Sequence, residues 1–265
     1  MLFFSLLVYV LVLSVKAGVI NIRDEKPICR SYHTDFTKSI DGWTEVRGAT
    51  RTWEMTPEGL KLKLLRPERF TRLIDSSSSK KLAYNDAEGE GATFNASTYM
   101  LYGRFSVTLK SAKVGGAVTA MILIADDKDE IDYELLGEGN GLNEQVQTNY
   151  FWGKNIVYGK NGGEHEVDGS ISSEFHTYEI DWSPEQIKWS VNGKIIRTKS
   201  RQEANGEYPT SPARVQIGLW DGSRQSGTAD WAHGPIEWNG LGNEITATIK
   251  SVEIECNPEH NIIIH

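Results

Sequence analysis

Residues 129–136 read Asp-Glu-Ile-Asp-Tyr-Glu-Leu-Leu, and this segment constrains the fold more than any other part of the chain. Successive side chains of an extended strand point to opposite faces, so Glu130, Asp132 and Glu134 share one face and the intervening Ile, Tyr and Leu share the other. A helix would scatter the acids around its axis and leave no continuous apolar stripe. The segment is therefore predicted to be a β-strand with one acidic and one apolar face.

An acidic strand face has an ordinary explanation, because half-buried strands often present charge to solvent. Like charges on neighbouring positions of one face repel each other, however, and a solvated strand more commonly mixes Lys, Thr and Ser into such positions. We therefore prefer a functional interpretation of this face to that of a merely solvated surface.

Short alternating runs separated by Gly, Pro, Asn and Ser fill most of the chain, and no segment has the sustained 3.6-residue period of a long helix. Asn192-Gly193 between two apolar runs predicts a tight hairpin. Residues 117–124 are apolar on both faces, which predicts a central strand. Other strands are predicted at residues 59–64, 102–109, 144–151, 176–182, 187–191, 194–197, 215–220 and 245–256. So many strands predict an all-β fold with two packed sheets.

The composition bounds the function. A chain of 265 residues with 39% hydrophobic residues can bury the core of one large β domain. Its net charge of -8 argues against nucleic acid and anionic membrane surfaces as partners, because both attract basic patches. A neutral partner fits this charge better.

The first fifteen residues are almost wholly apolar, and Val15-Lys16-Ala17 offers the small residues that a signal peptidase recognises. We therefore predict a signal peptide at residues 1–17, a single domain at residues 18–265 and a secreted protein. Because a basic leading region is missing, an uncleaved anchor remains the alternative. Residues 257–265 lack the hydrophobic tail of a lipid-anchor signal, so no membrane anchor is expected in the mature chain.

Cys29 and Cys256 lie near opposite ends of the mature chain, and export to an oxidising compartment favours a disulfide between them. The alternative is a pair of buried free thiols. If the first and last strands are neighbours, closing so long a loop would stabilise the fold by roughly 5 kcal/mol as an upper value. Asn95-Ala96-Ser97 is an N-glycosylation sequence, so Asn95 is predicted to be glycosylated at the surface.

Three acids on one strand face suggest glycoside cleavage, which uses one carboxyl as proton donor and a second as nucleophile or base. On a straight strand the Cα atoms of Glu130 and Glu134 stand roughly 13 Å apart. A retaining pair needs carboxyls about 5–5.5 Å apart and an inverting pair about 6.5–9.5 Å, so retention requires both side chains to lean inward on a concave strand. Asp132 between them can hydrogen-bond one Glu while its charge disfavours ionisation of the other, which keeps one carboxyl protonated as the acid.

A metal site is the rival chemistry for clustered acids, but strand-borne acids lack the pattern of a calcium loop and the six His include no zinc motif. Among the aromatic residues, Trp182 and Trp189 occupy apolar strand positions and are assigned to the core. Trp220, Trp231 and Trp238 flank a segment rich in Gly and Asp and are candidates for binding sugar rings.

The acidic segment Asp-Glu-Ile-Asp-Tyr-Glu at 129–134 resembles the catalytic signature of glycoside hydrolase family 16, a β-jelly-roll group that includes lichenases and cell-wall transglycosylases. Further blocks stand in the same order as in that family: Tyr-Gly-Arg at 102–104, Val-Gln-Thr-Asn-Tyr-Phe at 146–151, Phe-His-Thr-Tyr at 175–178, Asp-Trp at 181–182 and Ile-Gly-Leu-Trp at 217–220. Asp126-Asp127 and residues 227–232 are most similar to the fungal-type (Crh-like) chitin-glucan transglycosylases. The resemblance implies a concanavalin-like jelly-roll sandwich with a concave substrate cleft.

The resemblance also implies roles for individual residues. Glu130 would be the nucleophile that forms a covalent glycosyl-enzyme, Asp132 its assistant and Glu134 the general acid/base. Seven further residues would line the cleft or bind sugar rings: Gln147, Asn149, Phe151, Gln216, Trp220, Thr228 and Trp231. The implied partners are a chitin donor and a β-glucan acceptor, bound by a monomer.

Some positions depart from the family pattern. Asn95 stands where relatives place a basic residue that contacts sugar, and His233 interrupts a Trp-Ala-Gly-Gly-like run. No Asp near Lys250 and Ser251 matches the structural calcium ligand of lichenases, so neither a metal nor another cofactor is expected.

Two other functions stay open at this point. The same fold could act as a β-1,3(1,4)-glucan endohydrolase, in which water rather than a sugar resolves the intermediate. A lectin without turnover is the alternative of another class; it would be expected to have a broken acid triad, whereas the triad here is whole.

Overall fold

The computed structural model describes residues 26–153 and 157–264, so the predicted signal peptide at residues 1–17 lies outside the described residues. The described residues form nineteen strands, one short α-helix and one 3-10 helix at Thr50–Thr52. In chain order these are β1 (Ile28–Arg30), β2 (Tyr32–Asp35), β3 (Trp43–Arg47), β4 (Trp53–Thr56), β5 (Gly59–Leu65), β6 (Arg72–Ile74), β7 (Ala83–Asn85), β8 (Thr93–Met100), β9 (Gly103–Lys110), β10 (Ala117–Ala125), β11 (Glu130–Leu136), β12 (Gln145–Phe151), β13 (Gly163–His165), β14 (His176–Trp182), β15 (Gln186–Val191), β16 (Lys194–Ser200), β17 (Ala213–Asp221), α1 (Ser226–Trp231), β18 (Glu244–Cys256) and β19 (Ile262–Ile264). No helix within these residues is long and apolar enough to cross a bilayer.

Most strands belong to two large antiparallel sheets. The seven-stranded sheet has the order β13-β12-β11-β10-β17-β8-β3. The eight-stranded sheet has the order β16-β15-β14-β9-β18-β5-β4, with β2 also pairing with β18. Strands β6 and β7 form a small ribbon, and β1 pairs with β19 in parallel. The predicted all-β, two-sheet sandwich is confirmed.

The core lies between the two sheets because their strands alternate. Burial alternates strictly along β12 and β14, with every second residue facing the other sheet. Behind the acidic face, the Tyr133 hydroxyl donates a hydrogen bond to the Ser190 carbonyl at 2.9 Å. The Trp189 indole N–H donates to the Asp132 carbonyl at 3.0 Å. Trp182 and Trp189 are both buried, which confirms their assignment to the core.

Two local predictions are confirmed in detail. Asn192 and Gly193 adopt φ values of 50° and 78° and form the turn between β15 and β16, a conformation that Asn and Gly tolerate best. Strand β10, predicted to be central from its apolar faces, lies in the middle of the seven-stranded sheet between β11 and β17.

Other elements differ from the sequence-based expectation. The glycine-rich segment 159–169, which lies outside the predicted strands, contains the edge strand β13, which pairs with β12. Strand β8 was not predicted, although its burial alternates, because Asn and Ser on its outer face resemble loop sequence. Helix α1 is too short for its periodicity to be recognised.

The disulfide between Cys29 and Cys256 is present and spans 227 positions, with the two Cα atoms 6.1 Å apart. Cys29 belongs to β1, which pairs with β19, so the two ends of the described chain are neighbours, the condition on which the stabilisation by this loop depends. The bond therefore ties the first strand to the end of β18.

The double variant Cys29→Ala/Cys256→Ala should lose up to about 5 kcal/mol of unfolding free energy, because the denatured chain is no longer closed into a long loop. Urea unfolding measures the loss, and the wild type with and without reductant is the control. A double variant as stable as the oxidised wild type would contradict this account of the bond.

Candidate active site

The acids of β11 occupy the face of the seven-stranded sheet that points away from the core. In the antiparallel register, each acid has one cross-strand neighbour on β12 and one on β10. These trios are Phe151–Glu130–Ile124, Asn149–Asp132–Ile122 and Gln147–Glu134–Ala120. The predicted cleft residues of β12 thus stand directly beside the acids.

The same rows continue across β17 to β8. Gln216 is paired with Ile122 on one side and with Asn95 on the other, and the Gln216 amide donates a hydrogen bond to Asn95 Oδ1 at 2.7 Å. Gly218 continues the row of Glu134, and Trp220 lies one row further along. A cavity of about 220 Å³ opens here, lined by Thr93, Ala120, Ile122, Glu130, Glu134, Gln216, Gly218 and Trp220.

Two neighbouring aspartates of this segment have opposite environments. Asp129, 3% exposed, accepts backbone N–H groups from Gly153 at 2.6 Å, Thr210 at 2.6 Å and Ser211 at 3.0 Å. Asp132, 1% exposed, has no hydrogen-bond partner for either carboxyl oxygen within the described part of the chain. Asp129 therefore joins the loops at the start of β11, whereas no described residue donates a hydrogen bond to the Asp132 carboxyl.

Burial raises the pKa of all three acids of β11, and neighbouring charges add to the shift for Asp132 and Glu134. Burial is the largest cause for Asp132, whose pKa lies well above its usual value, and the charges of Glu130 and Glu134 add to it. Burial and the charge of Glu130 raise the pKa of Glu134 to about 8. Burial also raises the pKa of Glu130, while a hydrogen-bonding interaction with Asp132 and the charge of Lys128 oppose the shift.

Asp132 and Glu130 interact directly, and because an ionised carboxylate only accepts hydrogen bonds, one of the two must carry a proton for a hydrogen bond to form between them. Its direction is still clear, because the proximity of the two groups raises the pKa of Asp132 and lowers that of Glu130. A protonated Asp132 that donates to an ionised Glu130 is the arrangement that this interaction favours, against the effect of burial on Glu130.

A chain of side-chain hydrogen bonds holds Gln147, the cross-strand neighbour of Glu134, in place. The Trp231 indole N–H donates to Gln147 Oε1 at 2.7 Å, and the Gln147 amide donates to Gln145 Oε1 at 2.7 Å. Trp231 also stacks on Trp220, with ring centroids 6.1 Å apart and planes 17° apart. The end of α1 and strand β17 thus bring an aromatic pair to the side of the cleft that holds Glu134.

The remaining predicted residues are distributed around this centre. Phe151 is half-buried beside Glu130 and contacts Tyr158 edge-on, with ring centroids 6.1 Å apart. Thr228 is half-buried on α1, in the same short helix as Trp231. Trp238, a candidate for sugar binding from its flanking sequence, is fully buried in the core, so that prediction is wrong.

Sequence reasoning missed the floor of the cavity. Thr93, Ala120 and Gly218 form one row with Glu134 and leave space because their side chains are small or absent. These three residues could be predicted only from the register of the strands, because strand pairing brings them together and their residue types do not indicate a site. A larger cavity of about 370 Å³, lined by β2 and the loop that follows it, contains none of the predicted site residues.

Within the residues that the structure describes, no three His, Cys, Asp or Glu side chains come together in a metal-ligand arrangement. The acids of β11 are spread along one strand, each in a different row.

Comparison with known proteins relates this geometry to relatives. Crh-like protein 3 of Botryotinia fuckeliana is 35% identical over 202 residues, which are 68% of this chain and 44% of that protein. Crh-like protein CRH11 of Candida albicans is 37% identical over 182 residues, 68% of this chain and 39% of that protein. The chain therefore spans less than half the length of these curated relatives.

Solved structures share the fold. A structure described as Crh5 transglycosylase in complex with NAG matches with a TM-score of 0.72 and 29% identity, over 88% of each chain. A Bacillus licheniformis beta-glucanase matches with a TM-score of 0.65 and 23% identity over 86% of this chain and 98% of that one, which shows the fold alone. Residues 59–240 match the sequence family described as Glycosyl hydrolases family 16. Since that match covers well over half of the chain, the chain belongs to glycosyl hydrolase family 16, as its motifs predicted.

Proposed function

We propose that this protein is a secreted, retaining transglycosylase that cuts β-linked cell-wall polysaccharide and passes the cut chain, chitin, to a β-glucan acceptor. The observation that carries the proposal is the buried Asp132, to which no described residue donates a hydrogen bond, between Glu130 and Glu134 on one open strand face. The likeness of this chain to a protein described as Crh5 transglycosylase in complex with NAG supports transfer and an N-acetylglucosamine ligand.

In the first step, Glu130 attacks the anomeric carbon and Glu134 protonates the departing oxygen. Because the pKa of Glu134 is raised to about 8, this carboxyl carries its proton at neutral pH and can donate it. Burial raises the pKa of Glu130, but the interaction with Asp132 and the charge of Lys128 oppose that shift and favour the ionised form that a nucleophile needs. The three acids thus divide the roles of nucleophile, positioning group and acid.

In the second step the proton moves in the opposite direction, from the acceptor to Glu134. Once Glu130 is esterified to the sugar it loses its negative charge, and one of the causes that raised the pKa of Glu134 disappears. Glu134, which has just given up its proton, then acts as the base that activates the incoming hydroxyl. The glycosyl bond to Glu130 breaks as the new bond to the acceptor forms.

Acceptor binding would occur on the side of Glu134, because this group protonates the leaving oxygen and later deprotonates its replacement. Gln147, Trp220 and Trp231 lie on that side and offer an amide and an aromatic pair to a sugar ring. On the opposite side, Asn149 and Phe151 flank Asp132 and Glu130. An acceptor sugar held on this aromatic pair would compete with water for the intermediate.

The remaining predictions are part of the same proposal. A single catalytic domain at residues 18–265 is supported by the large hydrophobic core that joins both sheets among the described residues. Secretion to the cell exterior or cell wall is supported by the disulfide, which persists in oxidising compartments. Action as a monomer completes the proposal.

Incubating the protein with a chitin oligosaccharide and a fluorescent β-glucan oligosaccharide tests transfer directly. Fluorescent products longer than the acceptor are expected, because the glycosyl-enzyme is resolved by a sugar hydroxyl. If the only products are sugars shorter than the chitin oligosaccharide, the enzyme is a hydrolase and not a transglycosylase. Binding without turnover of chitin or any β-glucan would favour the lectin.

Glu130→Gln and Glu134→Gln should each lower kcat/KM on chitin oligosaccharides by at least about 1,000-fold, since each removes a group that reacts with the substrate. Asp132→Asn should cost less, on the order of tenfold, because an amide replaces a carboxyl that is already neutral. Glu179→Gln, on the eight-stranded sheet, is the matched control. Full activity of Glu134→Gln would refute its assignment as acid.

The pH dependence separates the roles of the two glutamates. With natural oligosaccharides, kcat/KM should fall as pH rises above about 8, where Glu134 loses the proton it must donate. With a glycosyl donor whose leaving group needs no proton, this alkaline fall should vanish from the first step. An alkaline fall near pH 4.5–5 would mean that Glu134 titrates as an ordinary carboxyl.

A further inference from the structure

The glycosylation sequence Asn95-Ala96-Ser97 lies within β8, on the open face of the seven-stranded sheet. Asn95 and Thr93 occupy alternate positions of this strand, and Thr93 lines the cavity beside Glu134. Asn95 itself pairs with Gln216, which also lines that cavity. Asn95, the residue that would carry the glycan, is therefore a neighbour of the cleft and not part of a surface loop.

The side chain of Asn95 is oriented for modification. Its Oδ1 accepts the amide of Gln216 at 2.7 Å, whereas its Nδ2 donates to no group among residues 26–153 and 157–264. Nδ2 is the atom to which an N-linked glycan is attached. Because Oδ1 is held by Gln216, a sugar on Nδ2 would begin at the cleft rather than at a flexible tip.

The register sets the distance from this sugar to the acids. Asn95, Gln216, Ile122 and Asp132 form one row across four neighbouring strands. Three spacings of about 4.8 Å place Asn95 roughly 14 Å from Asp132. Gly218 and Ala120, in the row beside it, leave the intervening floor low.

We propose that Asn95 is N-glycosylated and that the first sugars of its glycan occupy the cleft, so that glycosylation inhibits the enzyme. In the modification, Nδ2 loses a proton and bonds to the first sugar, and a lipid pyrophosphate leaves from the lipid-linked oligosaccharide donor. The inference rests on the proposed function, since an N-glycan begins with two β-linked N-acetylglucosamine rings, the repeating unit of chitin.

Tethering makes this ligand effective. A group attached by a short linker competes with free substrate for the cleft at an effective concentration on the order of 1 mM, without any new contact. A polysaccharide donor must displace it before the acids can be reached. The expected effect is a raised KM with little change in kcat, because the displaced glycan leaves the acids intact.

Three variants test the proposal without altering Asn95 or the acids. Ser97→Ala removes the glycosylation sequence, whereas Ser97→Thr keeps it. Ser97 is exposed on β8 and has no role in the proposed chemistry. Lys194→Thr, added to Ser97→Ala, moves the modification to Asn192 in the exposed turn of the other sheet. Each protein is produced in a glycosylating eukaryotic host and in a bacterial host without that machinery, and intact mass gives the occupancy.

From the glycosylating host, wild type and Ser97→Thr should carry the glycan and show kcat/KM about tenfold below that of Ser97→Ala, through KM. The Asn192-glycosylated control should match Ser97→Ala, and from bacteria wild type, Ser97→Ala and Ser97→Thr should be equal. Equal activity at full occupancy, or no occupancy of Asn95 in a host that modifies Asn192, would overturn the proposal.

Hydrogen exchange gives a readout that does not need turnover. A glycan seated in the cleft should slow exchange in β17 and α1 relative to Ser97→Ala, whereas a glycan directed into solvent should not. If the bacterial protein has no activity on chitin oligosaccharides, the proposed function fails, and the exchange result still decides whether the glycan occupies the cleft.

Discussion

The arrangement of the acids depends on how β11 is held from the opposite face. Three carboxyls on one side of a strand repel each other, and Asp132 has no hydrogen-bond donor among the described residues to offset its burial. The strand keeps its register because Tyr133 and Trp189 connect it by hydrogen bonds to the opposite sheet. A slip of one residue would turn the acids into the core, so the buried apolar face fixes the acidic one.

Environment, not residue type, distinguishes the acids of this segment. Asp129 accepts three backbone N–H groups and acts as a structural clamp, while Asp132, three residues later, accepts none. Glu130 and Glu134 are the same residue type, but only Glu130 interacts with Asp132 in a way that lowers its pKa. The surroundings of one strand thereby raise the pKa of Glu134 further than that of Glu130, and such a separation between two carboxyls is what acid/base chemistry uses.

Much of the fold could be predicted from the sequence because its strands alternate and its turns use Asn and Gly. The acidic face of β11, the central position of β10 and the hairpin at Asn192-Gly193 follow from the local pattern alone. The rest depends on packing between distant segments. Trp238 has the same kind of flanking sequence as Trp231, but it packs against Gly89, where an added Cβ would stand 3.1 Å from the Trp238 ring.

The candidate site shows the same division. Alternation along single strands predicted that Gln147, Asn149 and Phe151 share a face, and family resemblance assigned them to the cleft beside the acidic strand. The small floor of Thr93, Ala120 and Gly218 comes from three strands, so only the sheet register brings it together. The cleft position of Asn95 has the same origin, because β8 does not resemble a strand in sequence.

The central claim is that burial, together with the crowding of charges on β11, keeps Asp132 and Glu134 protonated at neutral pH while Glu130 is ionised. The most direct test is a pH titration of the three carboxyl carbons by carbon-13 NMR, assigned through conservative variants. The account predicts that the pKa of Glu134 is near 8, that the pKa of Asp132 lies well above its usual value and that Glu130 is the first of the three to ionise as pH rises. Three independent titrations near the ordinary carboxyl range of about 4 would contradict it.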